Sequence, residues 1–205
     1  MLFVTLPVQS VSFDNIISEK EISTAKLKYG VLAVRRIQAL QTLISENASK
    51  PERLQVNLVN DFFSKVTYME DEAAWGQKDF WATPAEFLAK DKGDAEDFAI
   101  AKYFTLLAMG VDEKKIYFSY VTATRIKRSH MVLTYFRNPN SEPLVLDSLT
   151  DRVLKASVRS DLIPIYSFNA QDLRDSSQVS SKQGFESSMH QWGQMRARMK
   201  QGILK

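Results

Sequence analysis

The sequence predicts an α+β fold, with helices first and an antiparallel sheet after them. Three observations predict it. Up to about residue 110 the apolar residues recur at three- and four-residue spacing, the period of an amphipathic helix. After Gly110 the texture changes to short runs rich in β-branched and aromatic residues. Turn chemistry, Asn138-Pro139-Asn140-Ser141-Glu142, separates two of those runs, so consecutive strands run antiparallel.

The elements follow in order. Residues 18–46 read as one long helix, with Val34, Ile37, Leu40 and Ile44 on its apolar face. Asn47 to Pro51 breaks it. A second helix covers 52–66, with Leu54, Leu58, Phe62 and Val66 on one stripe and Val59 and Phe63 beside it. Residues 67–82 read as irregular and carry Trp75 and Trp81. Thr83-Pro84-Ala85-Glu86 is a helix start: Thr as cap, Pro at the first position, Glu at the third. That short helix ends near Asp91-Lys92-Gly93. Asp94 then caps a new helix, Asp97 is placed to reach back to the cap, and the apolar run from Phe98 to Met109 carries the helix inward until Gly110 closes it. Strands are expected over 115–124, 129–137, 143–149 and 163–168. Residues 176–184 are polar and read as a linker. Phe185, Met189, Trp192, Met195 and Met199 form the stripe of a C-terminal helix, which either packs on the domain or binds a partner. The division is an N-terminal extension over 1–17, a main domain over 18–170, and linker plus C-terminal helix over 171–205.

Composition narrows the function. Lys and Arg number 27 against 24 acids, a bias too weak for a nucleic-acid binder. No run approaches the ~20 apolar residues of a membrane span. Cysteine is absent, which excludes disulfides and thiolate zinc sites. The opening MLFVTLPVQS is apolar but has no basic flank and is short for a whole signal peptide, so it reads as a plain terminus or the remnant of a leader.

Chemistry gathers at three places. Position 95 is the first residue of its helix, where backbone N–H groups and the macrodipole favour negative charge. A cysteine there would be an activated thiolate; this chain has Ala95. His130 opens a strand after the basic loop 125–128, and Asp147 ends the apolar run Leu144-Val145-Leu146. A hairpin centred on Asn138 and Pro139 would set His130 opposite Asp147, where a carboxylate fixes the imidazole tautomer. The alternatives are a structural histidine and an aspartate facing water. A Cys–His–Asp set needs a thiolate at a helix N-terminus, a base in reach and an orienter behind it; only the sulfur is lacking. His190, off the C-terminal stripe, reads as exposed. Asp94, Glu96 and Asp97 place three carboxylates within four residues, and by themselves satisfy a helix N-terminus.

The blocks Gly93-Asp94-Ala95-Glu96-Asp97-Phe98-Ala99-Ile100-Ala101-Lys102, His130-Met131-Val132-Leu133 and Leu144-Val145-Leu146-Asp147 together resemble the bacterial transglutaminase-like cysteine proteinases, in particular the periplasmic LapG-type proteases. Phe80-Trp81-Ala82-Thr83-Pro84 with Glu86, and Tyr166-Ser167-Phe168-Asn169, look like further blocks, and the resemblance spans roughly 20–170. It implies a papain-like, transglutaminase-like α+β fold and a cysteine endopeptidase with position 95 as nucleophile, His130 as base and Asp147 as its orienter. The position-95 N–H is a candidate oxyanion donor, and Trp81 is either a second donor or a packed aromatic. The resemblance further implies Ca²⁺, with Asp94, Glu96 and Asp97 as ligands. It implies a periplasmic location, a large surface adhesin as substrate whose cleavage releases a biofilm, and inhibition by the periplasmic domain of a cyclic di-GMP receptor. The departure is Ala95: either a substituted cysteine that leaves the enzyme inactive, or a natural pseudoenzyme. Two other functions fit the same blocks, a transglutaminase passing the acyl group to an amine and a calcium-dependent binding module.

Overall fold

In the computed structural model, residue 13 and residues 16–172 and 185–205 are described. The first helix is two helices. α1 (Glu19–Tyr29) starts at a capping box in which the Ser18 hydroxyl accepts from the Glu21 N–H and the Glu21 carboxylate accepts from the Ser18 N–H. Gly30, at φ 81°, takes a conformation that L side chains rarely adopt, and α2 (Val31–Asn47) begins beyond it. Apolar spacing continues across Gly30, which is why periodicity alone merges the two. The buried face of α2 is Ala33, Ile37, Leu40 and Ile44, while Val34 is half-buried.

α3 (Glu52–Phe63) ends three residues before the expected boundary, and its buried face is rotated. Gln55, Val56, Val59, Asn60 and Phe63 face inward, and Leu54 is 42% exposed. The cause is polar. The Gln55 amide donates to the Asn47, Ala48 and Met109 carbonyls, and the Asn60 amide to the Asp151 carbonyl at 2.8 Å. Polar residues with fixed partners can be core residues, and a count of apolar residues does not see them.

The segment expected to be irregular holds β1 (Thr67–Tyr68) and α4 (Asp71–Trp75). α5 (Pro84–Lys90) begins at the expected Thr83 capping box with Pro84 in its first turn. β2 (Lys92–Gly93) pairs in parallel with β1, Tyr68 opposite Gly93, so the two strands hold α4 beside the start of α6 (Ala95–Ala108). α6 is buried almost all round, packed on α3 and α5 on one side and the sheet on the other.

The sheet has five strands: β3 (Ile116–Ala123), β4 (Arg128–Tyr135), β5 (Leu144–Leu146), β6 (Leu154–Lys155) and β7 (Leu162–Phe168). Their order is β6-β5-β4-β3-β7 and every pairing is antiparallel. β6, two residues long, is too short to read from sequence. α7 (Phe185–Gln201) packs on the domain: Trp192 stacks on Phe104 with centroids 5.7 Å apart and meets Tyr103 and Phe118 edge-on. Ile16 and Ile17, in the segment read as an extension, are buried in the same core. The opening ten residues and the linker over 176–184 lie outside the described residues. Among the described residues, no helix is long and apolar enough to cross a membrane.

Candidate active site and acidic cluster

The N-terminus of α6 is assembled from three chain segments. Asp94 caps the helix, accepting from the Glu96 N–H at 3.2 Å, and Ala95 follows, buried. Asp97 does not reach back to the cap. Its Oδ1 accepts from the Ala82 N–H at 2.7 Å and its Oδ2 from the Trp75 indole N–H at 3.1 Å. These bonds pin the 75–82 segment against the helix start, and a long-range partner replaces the local one. Gly93 makes room for this: a Cβ there would lie 2.3 Å from Asp97 Oδ2 and 2.8 Å from the Phe87 ring.

The acids gathered here are Asp71, Asp94 and Asp97, each with a carboxylate oxygen within 4.8 Å of the others. Asp71, on α4, was invisible to a reading of the Asp94–Asp97 run, because the β1–β2 pairing brings it in. Glu96 is outside the group, a correction to the expected set. Residues three apart on a helix share a face, as Asp94 and Asp97 do, and residues two apart diverge. Burial and mutual repulsion push these carboxyls up: Asp71 to about 6, Asp94 far above the carboxylate range under burial and the charges of Glu96, Asp97 and Asp71, and Asp97 likewise under burial and Asp71. No salt bridge neutralises the three among the described residues. Asp71 Oδ2 accepts from the Phe80 N–H at 2.6 Å, while its Oδ1 is buried with no partner. An adjoining cavity of about 420 Å³ is lined by Glu70, Asp71, Glu72, Lys78, Asp94 and Arg128. Hard oxygen donors, one of them orphaned, fit a divalent cation that prefers oxygen.

The sheet supplies the second half. His130 and Asp147 are both buried, and His130 Nε2 lies 2.6 Å from Asp147 Oδ1. The register differs from the expected one. Leu133 pairs with Leu146 and Thr134 with Val145, so Val132 and not His130 lies across from Asp147. The two still meet because diagonal neighbours on one sheet face remain within reach of long side chains. Asp147 follows β5 and is not a water-facing residue. Burial pushes it up, but the hydrogen bond and charge of His130, the Leu149 N–H and Arg159 overcome that and hold it at about 2. Arg159 donates to Asp147 Oδ2 at 2.7 Å and also grips Asp161. No signal in the sequence marked Arg159, twelve residues on and beyond β6.

His130 Nδ1 is buried and has no partner among the described residues. β4 packs on α6, and the Glu96 carboxylate, next to Ala95, is close enough for its charge to be felt with that of His130. Chemically this is an anionic orienter, an imidazole with one nitrogen committed and one free, and a helix N-terminus beside them. Trp81 is buried, and its carbonyl accepts from Arg198. His190 is exposed and bonds Gln194, away from this site.

Comparisons with known proteins agree with this geometry. The family model for bacterial transglutaminase-like cysteine proteinases matches residues 36–162. Legionella pneumophila LapG is similar at 37% identity and a TM-score of 0.74, covering 92% of this chain and 98% of its own. Its EGTA-treated form gives 36% and 0.73 over 92% and 98%, and its calcium-bound form 35% and 0.70 over 89% and 99%. No curated protein matches significantly. The matched span contains α6, His130, Asp147 and Arg159 together, and the chain belongs to the bacterial transglutaminase-like cysteine proteinases.

Proposed function

We propose that this chain has the framework of a calcium-dependent periplasmic cysteine endopeptidase, with alanine at the nucleophile's position. The observation that carries the reading is His130: Nε2 bonded to Asp147, Nδ1 buried and unpartnered, on the strand packed against the helix that begins at Ala95. A thiol at position 95 would supply the missing partner. His130 would take its proton at Nδ1 while Asp147 fixes the tautomer and stabilises the imidazolium. The thiolate sulfur would attack the scissile carbonyl, with the oxyanion at the N-terminus of α6, where the residue-95 N–H and Trp81 are the candidate donors. His130 would pass its proton to the leaving amine, then activate the water that releases the acyl group. With Ala95 the first bond cannot form, so the chain as it stands is inactive.

Asp71, Asp94 and Asp97 would hold Ca²⁺. The ion would supply the positive charge these carboxylates lack and tie the 71–82 segment to the helix that presents position 95. The calcium-bound form of the similar Legionella protein supports this reading. The proposed substrate is a large surface adhesin, whose cleavage would release a biofilm, and the proposed inhibitor is the periplasmic domain of a cyclic di-GMP receptor. Both follow from the resemblance of the blocks at 93–102, 130–133 and 144–147 to the LapG-type proteases. Ala95 itself favours a second reading, a calcium-dependent binding module that engages such partners without cutting. An acyl transferase would use the same residues with an amine in place of water.

The test is Ala95→Cys, assayed on adhesin fragments with calcium or chelator, with and without added amine. Calcium-dependent cleavage is the expected result. Cleavage indifferent to chelator would remove calcium as a requirement, and amine incorporation would point to transfer. A folded, inactive variant across several fragments would leave the binding module.

A further inference from the structure

Lys102 is used by nothing above, yet it is buried at 1% exposure in the middle of α6. Its ammonium donates to Asn60 Oδ1 at 2.9 Å and to the main-chain carbonyl of Asp147 at 3.0 Å, and lies 5.6 Å from the centre of the Phe98 ring. Asn60 in turn donates to the Asp151 carbonyl. Lysine and asparagine therefore hold both ends of the segment 147–151, which leaves the sheet after β5 with Asp147 as its first residue. We propose that Lys102 is a positioning residue, which sets the place of Asp147, and through it of His130, relative to the first residue of α6.

Helix geometry supports this. Lys102 is seven residues from Ala95, two turns along the same face and about 10 Å further down the axis. One rigid helix thus carries both the nucleophile's position and the group that grips Asp147. Arg159 fixes the Asp147 carboxylate from the other side, so the aspartate is held by its main chain and its side chain independently. Stability alone does not call for a lysine here. Burial disfavours its charge and lowers it to about 7, and an unbranched apolar side chain would fill similar space without desolvating a cation. What only the lysine offers is directed N–H donors. A neutral amine keeps two of them, so the grip survives deprotonation.

The inference rests on His130 and Asp147 acting as base and orienter, and the experiment separates the two. The first readout is the imidazole N–H proton of His130 by NMR in the chain as it stands. It needs no activity, and the only other histidine is the exposed His190. Lys102→Met is expected to shift or broaden that resonance in the folded protein. Asn60→Leu, which keeps the lysine's bond to the Asp147 carbonyl but removes its other acceptor and releases the far end of the segment, is expected to do so more weakly. The second readout is kinetic: on the Ala95→Cys background, Lys102→Met is expected to lower kcat about tenfold or more with KM unchanged, as misplacement of a reacting group by a distant change does. A merely structural lysine would lower the melting temperature and move neither. An unchanged His130 resonance in folded Lys102→Met, or in folded Lys102→Leu should the first variant not fold, overturns the proposal, as does an unchanged kcat. If Ala95→Cys is inactive with Lys102 intact, the protease reading is what has failed.

Discussion

At the residue scale, Asp147 joins stability to chemistry. Its folded pKa of about 2 lies below the ordinary value of 3.8. The folded state therefore favours the anion, and the stabilisation is complete above the unfolded pKa. It is lost as pH falls through the folded one, and the difference is about 2 kcal/mol. Asp147→Asn is expected to lower stability by that order at pH 7 and hardly at all near pH 2, which urea melts across this range would test. Equal losses at both ends would show that the charge is not responsible. Arg159→Met removes a partner from a buried anion and is expected to cost about 3–5 kcal/mol. It should also raise the pH at which Asp147 titrates.

At the scale of elements, the α6 entrance depends on close approach. Gly93→Ala would drive a methyl group into Asp97 and Phe87. It is expected to detach the 75–82 segment, seen as increased amide exchange at Ala82, whose N–H bonds Asp97. The α5 start is an ordinary cap by comparison. Thr83→Ala should cost only about 1 kcal/mol, although Thr83 is fully buried and Glu86 also binds Arg198 and the Lys205 N–H. A loss several times larger would mean that the cap is part of the contact with α7.

For the whole molecule, two couplings decide stability. α7 closes the core through Trp192, stacked on Phe104, so Trp192→Ala is expected to cost about 3–5 kcal/mol. A near-zero change would mean that α7 is dispensable. The acidic cluster joins α4, the 75–82 segment and α6, so calcium should raise the melting temperature. At about a hundred times its dissociation constant a ligand adds roughly 2.7 kcal/mol. Chelator should reverse the gain, and Asp71→Asn should abolish it. A melting temperature indifferent to calcium would mean that the folded chain does not bind the ion, and a gain kept in Asp71→Asn would place the ion elsewhere.

By itself the sequence determined what short-range chemistry determines. Helix starts at Ser18, Thr83 and Asp94 rest on groups within three residues, and β3 and β4 rest on alternation. The family blocks are contiguous as well, and they singled out His130 and Asp147, which the structure brings within hydrogen-bond distance. Tertiary structure decided whatever depends on a distant partner. It turned α3 toward Gln55 and Asn60, whose partners include Met109 and Lys102, and it split α1 from α2 at one backbone angle. It also slid β5 by two residues and exchanged Glu96 for Asp71 in the acidic cluster. Arg159 was likewise added behind Asp147. Apart from the split at Gly30, which one backbone conformation decides, the physical reason is shared. A buried polar group takes its orientation from the hydrogen bond it must make, and in this protein those bonds reach across tens of residues of chain.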